Sequence, residues 1–116
     1  MNPPASEPDG QVDHTGATRY YLSVAIVSFR CSDTRELFAG KRVRRFTSIE
    51  AVAMRKLAML NRAATLDDLR VPPGNRLEAL KGNRSGQHSI RVYDQFRVCF
   101  LRSPKGPREV EIVDYH

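Results

Sequence analysis

The sequence predicts an α+β domain, on three observations. A β-prone run stands near the start of the globular part, two amphipathic helical segments follow it, and alternating strands joined by short turns fill the remainder. The β-prone run is 20–29, and its later half, Ile26 to Arg30, is the expected first strand. Asp33 and Glu36 have the spacing of a capping box for a short helix through Leu37 and Phe38, stopped by Gly40. Thr47 and Glu50 form a second such pair. They open a long helix from Ser48 to about Ala64, with Ile49, Val52, Ala53, Leu57, Leu60 and Ala64 along one face and Arg55, Lys56 and Arg62 on the remaining surface.

Past Leu66–Leu69 the run Val71-Pro72-Pro73-Gly74-Asn75 forces a loop, because consecutive prolines remove backbone donors. Leu77 to Leu80 reads as a short strand and 82–86 as a turn. Gln87 to Tyr93 alternates, with His88, Ile90 and Val92 on one side, and Asp94-Gln95 makes a tight turn. Phe96, Val98 and Phe100 alternate on the next strand, and a turn over 103–107 leads to a terminal strand carrying Val110 and Ile112. Such consecutive strands make an antiparallel meander whose apolar face the long helix covers.

The 116 residues hold 19 Lys and Arg against 13 Asp and Glu, a net charge of +6, enough for one domain with one modest core. Glu7, Asp9 and Asp13 against Arg19 give residues 1–25 a net of −2, so 26–116 carry +8 and suit phosphate backbones or an acidic protein. Residues 1–18 are rich in Pro, Asp, Gly and Thr, the composition of a disordered tail, and 1–25 are read as a flexible N-terminal extension ahead of a domain over 26–116. Cys31 and Cys99 are far apart, in apolar runs and with no metal-ligand spacing. They are expected as buried, reduced thiols in a cytoplasmic protein without a secretory segment. No run approaches the roughly 20 apolar residues of a membrane span. A phosphate-cradling glycine loop, a pair of catalytic carboxylates and a Ser/Cys nucleophile arrangement are all missing from the pattern, and no metal or other cofactor is expected.

The chain ends on Asp114, Tyr115 and His116, delivered to the open end of the terminal strand. His116 is the candidate for proton transfer, since an imidazole titrates near neutral pH. Asp114 shares its strand parity and is suited to orient the ring or take part in proton transfer. Tyr115 points to the opposite face, to stack on a base, bond a phosphate or fill the sheet's rim. Arg97 is opposite in parity to Phe96, Val98 and Phe100, so its guanidinium leaves the apolar layer and is free to grip a phosphate in two-pronged fashion. Lys81 projects a second cation from a strand end, and Arg84 and Arg91 extend the basic surface. Lys41, Arg42, Arg44 and Arg45 crowd four cations between the helices, for RNA, for an acidic partner or merely for solvent. His88 is expected as a satisfied core or rim histidine.

Four blocks resemble the HigB toxins of the RelE/ParE superfamily, the killer proteins of bacterial type II toxin–antitoxin pairs. They are Asn75-Arg76-Leu77-Glu78-Ala79-Leu80-Lys81-Gly82-Asn83-Arg84, then Ser89-Ile90-Arg91-Val92, then Phe96-Arg97-Val98-Cys99-Phe100, then Val113-Asp114-Tyr115-His116. The resemblance covers roughly Ile26 to His116. It implies a RelE-like fold with two N-terminal helices packed on a twisted antiparallel sheet of about four strands. It also implies a metal-independent endoribonuclease that cuts mRNA on the ribosome and is neutralised by a HigA-type helix-turn-helix antitoxin. Operator DNA would be met only through that antitoxin, and no membrane is involved. The catalytic set so implied is His116, Asp114, Tyr115, Lys81 and Arg97. Three departures stand out: some members carry a second histidine where this chain has Glu78, Phe96 stands where Trp is frequent, and residues 1–24 precede the family's usual start near Ile26. The ParE branch, which poisons gyrase by binding, and a degenerate toxin acting as an antitoxin-binding corepressor are the competing expectations.

Overall fold

In the computed structural model, residues 25–115 are described; the N-terminal extension and His116 lie outside them. Two helices, α1 (Ser32–Phe38) and α2 (Glu50–Arg62), precede four strands: β1 (Glu78–Ala79), β2 (Gln87–Tyr93), β3 (Phe96–Leu101) and β4 (Arg108–Asp114). The strands form one sheet in the order β1-β2-β3-β4, every pairing antiparallel. No described helix is long and apolar enough to cross a membrane.

The alternation of β2, β3 and β4 sends Ile90, Val92, Val98, Phe100, Val110 and Ile112 to one face, all buried. Against them pack Ala53, Leu57 and Leu60 of α2, Leu37 of α1, and Phe46, Ile49 and Leu69 of the connecting 3-10 turns. Lys56, expected on the solvent side of α2, is instead half-buried and donates from Nζ to Asn75 Oδ1.

Both expected helix starts are corrected. The N-caps of α1 and α2 are Cys31 and Ile49, and neither makes a side-chain cap bond. Asp33 lies inside the first turn of α1, where its carboxylate accepts from Arg45 Nε at 2.7 Å. Thr47 Oγ1 donates back to the Arg44 carbonyl at 2.9 Å, so 44–49 tighten into a 3-10 turn and α2 spans less than Ser48–Ala64. The capping box sits elsewhere: Thr65 Oγ1 accepts from Asp68 N, while Asp68 Oδ2 accepts from Thr65 N and Ala64 N. Those backbone donors hold the Asp68 carboxyl below its usual range.

The expected first strand over Ile26–Arg30 does not form. Only Phe29 makes a bridge, parallel, to Val110. The segment nonetheless lies along β4: Val110 N donates to the Ser28 carbonyl, Arg30 N to the Val110 carbonyl and Val27 N to the Pro107 carbonyl. Ile112 N donates to the buried Thr34 Oγ1 at 3.0 Å, tying α1 to the same side. A register shift between Cys99 and Leu101 accompanies the left-handed backbone of Glu109 (φ 52°), the mark of a β-bulge. The strand expected over Leu77–Leu80 pairs only through Glu78 and Ala79. Both cysteines are free thiols, but Cys31 is half-buried at the start of α1 rather than buried.

Candidate active site

One row of residues crosses all four strands on the face opposite the core. Glu78 pairs with Ser89, Ser89 with Cys99, and Cys99 with Glu111. At about 4.8 Å per strand the row spans roughly 14 Å. Ser89 and Cys99 are fully buried, because neighbouring side chains lie on them.

Arg97 is the principal cover. Its Nε donates to Ser89 Oγ at 2.6 Å and Nη2 to the Arg76 carbonyl at 2.6 Å, and Nη2 forms an ion pair with Glu78 Oε1 at 3.2 Å. Its side chain is 12% exposed, so the cation is presented in one orientation rather than solvated freely. Among the described residues Nη1 makes no hydrogen bond, which leaves one edge of the guanidinium for a ligand.

Tyr115 closes the other side. Its N–H donates to the Gln95 carbonyl, and its hydroxyl lies 3.9 Å from Cys99 Sγ. Burial pushes the Cys99 thiol up despite Tyr115, Arg84 and Arg97 nearby, and burial followed by Cys99 raises the Tyr115 phenol. Both groups therefore stay protonated at neutral pH. Beyond them Arg84 Nη1 donates to Gln87 Oε1 at 3.0 Å and Glu111 Oε2 at 3.2 Å, and Arg30 Nε comes within 3.8 Å of the same carboxylate. Three guanidiniums and two carboxylates thus surround a phenol and a serine, an arrangement that can bind an anion where a phosphate replaces a carboxylate.

The structure brings together Arg97, Arg84 and Tyr115 from the expected set, on one face. Asp114 leaves the opposite side of the strand end and accepts from Gln95 Nε2 at 3.2 Å. Lys81 is exposed, two residues past β1, and makes no ion pair or side-chain hydrogen bond among the described residues. His116 lies outside the described residues. Arg91, paired across the ladder with Arg97, is engaged by Asp94. The cluster of Lys41, Arg42, Arg44 and Arg45 belongs to the helical layer. Arg45 there is committed to Asp33, to Cys31 Sγ and to the face of the Phe46 ring 4.4 Å away.

His88 is on the core side, as expected, stacked on Phe100 with centroids 6.2 Å apart. It is not satisfied: its buried Nδ1 has no partner among the described residues, and burial lowers its basicity. Sequence reasoning missed Ser89, Glu111, Arg30 and the Arg76 carbonyl as site components. For Ser89 and Glu111 a signal existed, since both share outward parity with Arg97 once the strands are registered.

Fold and face together define a small basic α+β domain that presents guanidiniums from an antiparallel sheet. The profile described as RelE-like toxin of type II toxin-antitoxin system HigB matches residues 32–116, and the chain belongs to that family. Toxin HigB-1 of Vibrio cholerae serotype O1 is 52% identical over 54 residues, 47% of this chain and 57% of that protein. An uncharacterized protein of Haemophilus influenzae is 37% identical over 54 residues, 47% of this chain and 54% of that protein. The chain spans about half the length of these curated relatives.

Proposed function

We propose that this chain is the toxin of a type II toxin–antitoxin pair and acts as an endoribonuclease on mRNA being translated. The observation that carries the reading is the fixed guanidinium of Arg97, with its Nη1 edge unengaged among the described residues, on a face shared with Tyr115 and Arg84. The nucleophile is the substrate's own 2′-hydroxyl. The protein then has three tasks: to accept that proton, to stabilise charge on the phosphoryl oxygens and to protonate the 5′-leaving oxygen.

Arg97 takes the second task. Its anchored Nε and Nη2 leave Nη1 to meet a non-bridging oxygen, and the scissile phosphate competes with Glu78 for the same cation. His116, one residue past Tyr115, is the proposed proton-transfer group, with Asp114 in its support. Glu78, within 3.2 Å of Arg97, is the carboxylate proposed to accept the 2′-hydroxyl proton if His116 does not. Tyr115 remains a neutral phenol that donates to phosphate or stacks on a base. Lys81 supplies an exposed cation at the rim, and Arg84 holds a neighbouring phosphate. The +8 charge of 26–116 steers both RNA and an acidic antitoxin toward this domain. The partner is a HigA-type helix-turn-helix antitoxin, the setting is the cytoplasm, and Lys41, Arg42, Arg44, Arg45 and Arg91 are secondary contacts.

The test is cleavage of a reporter mRNA in a purified translation system. Wild type cuts it, and Arg97→Ala and His116→Ala each lose about 100-fold or more. Intact mRNA with wild-type protein, together with inhibited gyrase supercoiling, would replace this reading with a ParE-like one.

A further inference from the structure

The loop that leads into β1 holds more buried polar bonding than a connector requires. Asn75 is fully buried. Its amide nitrogen donates to the Leu69 carbonyl at 3.1 Å and to Met59 Sδ at 3.2 Å, and its Oδ1 accepts from Lys56 Nζ. Its backbone N–H donates to the Pro72 carbonyl at 2.9 Å. One side chain thus ties the loop both to α2 and to the turn over Leu66–Arg70. A buried amide with every group spoken for fixes its segment closely, because leaving any of those groups unpaired is costly.

The next residue is the strained one. Arg76 adopts the left-handed region, φ 45° and ψ 56°, which side chains other than glycine or asparagine rarely occupy. The consequence of that turn is visible across the sheet: the Arg76 carbonyl is aimed at Arg97 Nη2, 2.6 Å away. Ser89 fixes Nε and Arg76 fixes Nη2, and two anchored nitrogens of a planar fork set the direction of the third. Without the Arg76 carbonyl, Nη2 would be held by the Glu78 carboxylate, which is more than half exposed, and the fork would lose its one short backbone anchor at that nitrogen.

We propose that Asn75 is a positioning residue for the reaction: it holds Arg76 in its left-handed conformation, and through that carbonyl it fixes the direction in which Arg97 presents Nη1 to the phosphate. Lys56 is the tether that secures Asn75 from α2. Burial, then Arg55 and Arg91, lowers the Lys56 ammonium, and Asn75 Oδ1 is the acceptor that the ammonium meets. This inference rests on the proposed ribonuclease role of Arg97.

The experiment is a double-mutant cycle in the purified translation system, with kcat and KM for reporter mRNA cleavage measured separately. Asn75→Asp, which keeps an oxygen for Lys56 and loses the donors to Leu69 and Met59, lowers kcat about tenfold with KM within about twofold. In an Arg97→Lys background, where the fork is already lost, the same substitution changes kcat by less than about twofold. Lys56→Met keeps the side-chain stem and lowers kcat about threefold with the same dependence on Arg97, and it decides the question by itself if Asn75→Asp does not fold. Equal losses in both backgrounds, or a loss in KM alone, overturn the inference. Wild-type kcat in Asn75→Asp beside a disabled Arg97→Ala overturns it while leaving the ribonuclease reading standing. Full cleavage by Arg97→Ala overturns both.

Discussion

The two faces of β2 and β3 are built from neighbouring residues and obey different physics. Phe100 and Cys99 are adjacent in the chain and both fully buried, yet Phe100 is buried by a helical layer and Cys99 by polar side chains reaching over it. The core face is aliphatic and aromatic, with burial as its source of stability. The outer face is a set of charged and hydroxyl groups pinned by mutual hydrogen bonds, whose ion pairs contribute little to stability at a partly exposed surface. If the outer face is the ribonuclease site proposed above, stability and chemistry lie on opposite sides of one sheet, and mutations should sort by parity rather than by position along the chain.

The sharpest way to break that separation is at Phe100. Phe100→Ala should cost about 3–5 kcal/mol by chemical denaturation, from lost transfer energy and a residual cavity. A cost below about 1 kcal/mol would mean that the core face does not carry the fold. On the other face, Ser89→Ala removes the hydroxyl that accepts from Arg97 Nε. It should lower mRNA cleavage about five- to tenfold while unfolding free energy falls by only about 1 kcal/mol. If stability and cleavage fell together there, the outer face would be structural after all.

The smallest expected effect tests His88, an imidazole on the core side with an unpaired buried nitrogen among the described residues. His88 is less basic in the folded chain than in the unfolded one, because burial disfavours its imidazolium and Arg102 adds repulsion. The unfolded state therefore takes up the proton first as pH falls. The contribution of His88 to stability is complete above its ordinary value of about 6.5 and is lost as pH drops through its lowered folded value. His88→Phe should flatten the fall in melting temperature between about pH 7 and pH 5, and an unchanged slope would assign that fall to other groups.

Much of the sheet was legible because alternation is a local signal. The expected strand over Gln87–Tyr93 coincides with β2, and the outward parity of Arg97 follows from Phe96, Val98 and Phe100 alone. The helix starts misled because the expected capping residues were taken by other partners, one across the helical layer and one within its own turn. Asp33 found Arg45, and Thr47 bonded back within its own turn. Ile26–Arg30 has strand composition, but Ile26 N donates to the Asn61 side chain, so the run bonds piecemeal instead of as a ladder. In the site, what stayed hidden depends on register and on loop conformation. Asn75 reads as a turn residue after Pro72-Pro73-Gly74, and no local pattern announces that its amide is buried beneath α2.

β4 is the outermost strand of the sheet on the side of α1 and of the segment Val27–Arg30. An outermost strand ordinarily offers a row of open peptide groups to any passing chain, which invites edge-to-edge pairing and aggregation. Here the outward groups of Val110 are taken by Ser28 and Arg30, the Ile112 N–H is taken by Thr34, and the bulge at Glu109 bends the strand. At the far side β1 is two residues long. Along β4 another strand would have to displace these bonds before it could pair, while on the other side the brevity of β1 offers only a two-residue strand to pair with.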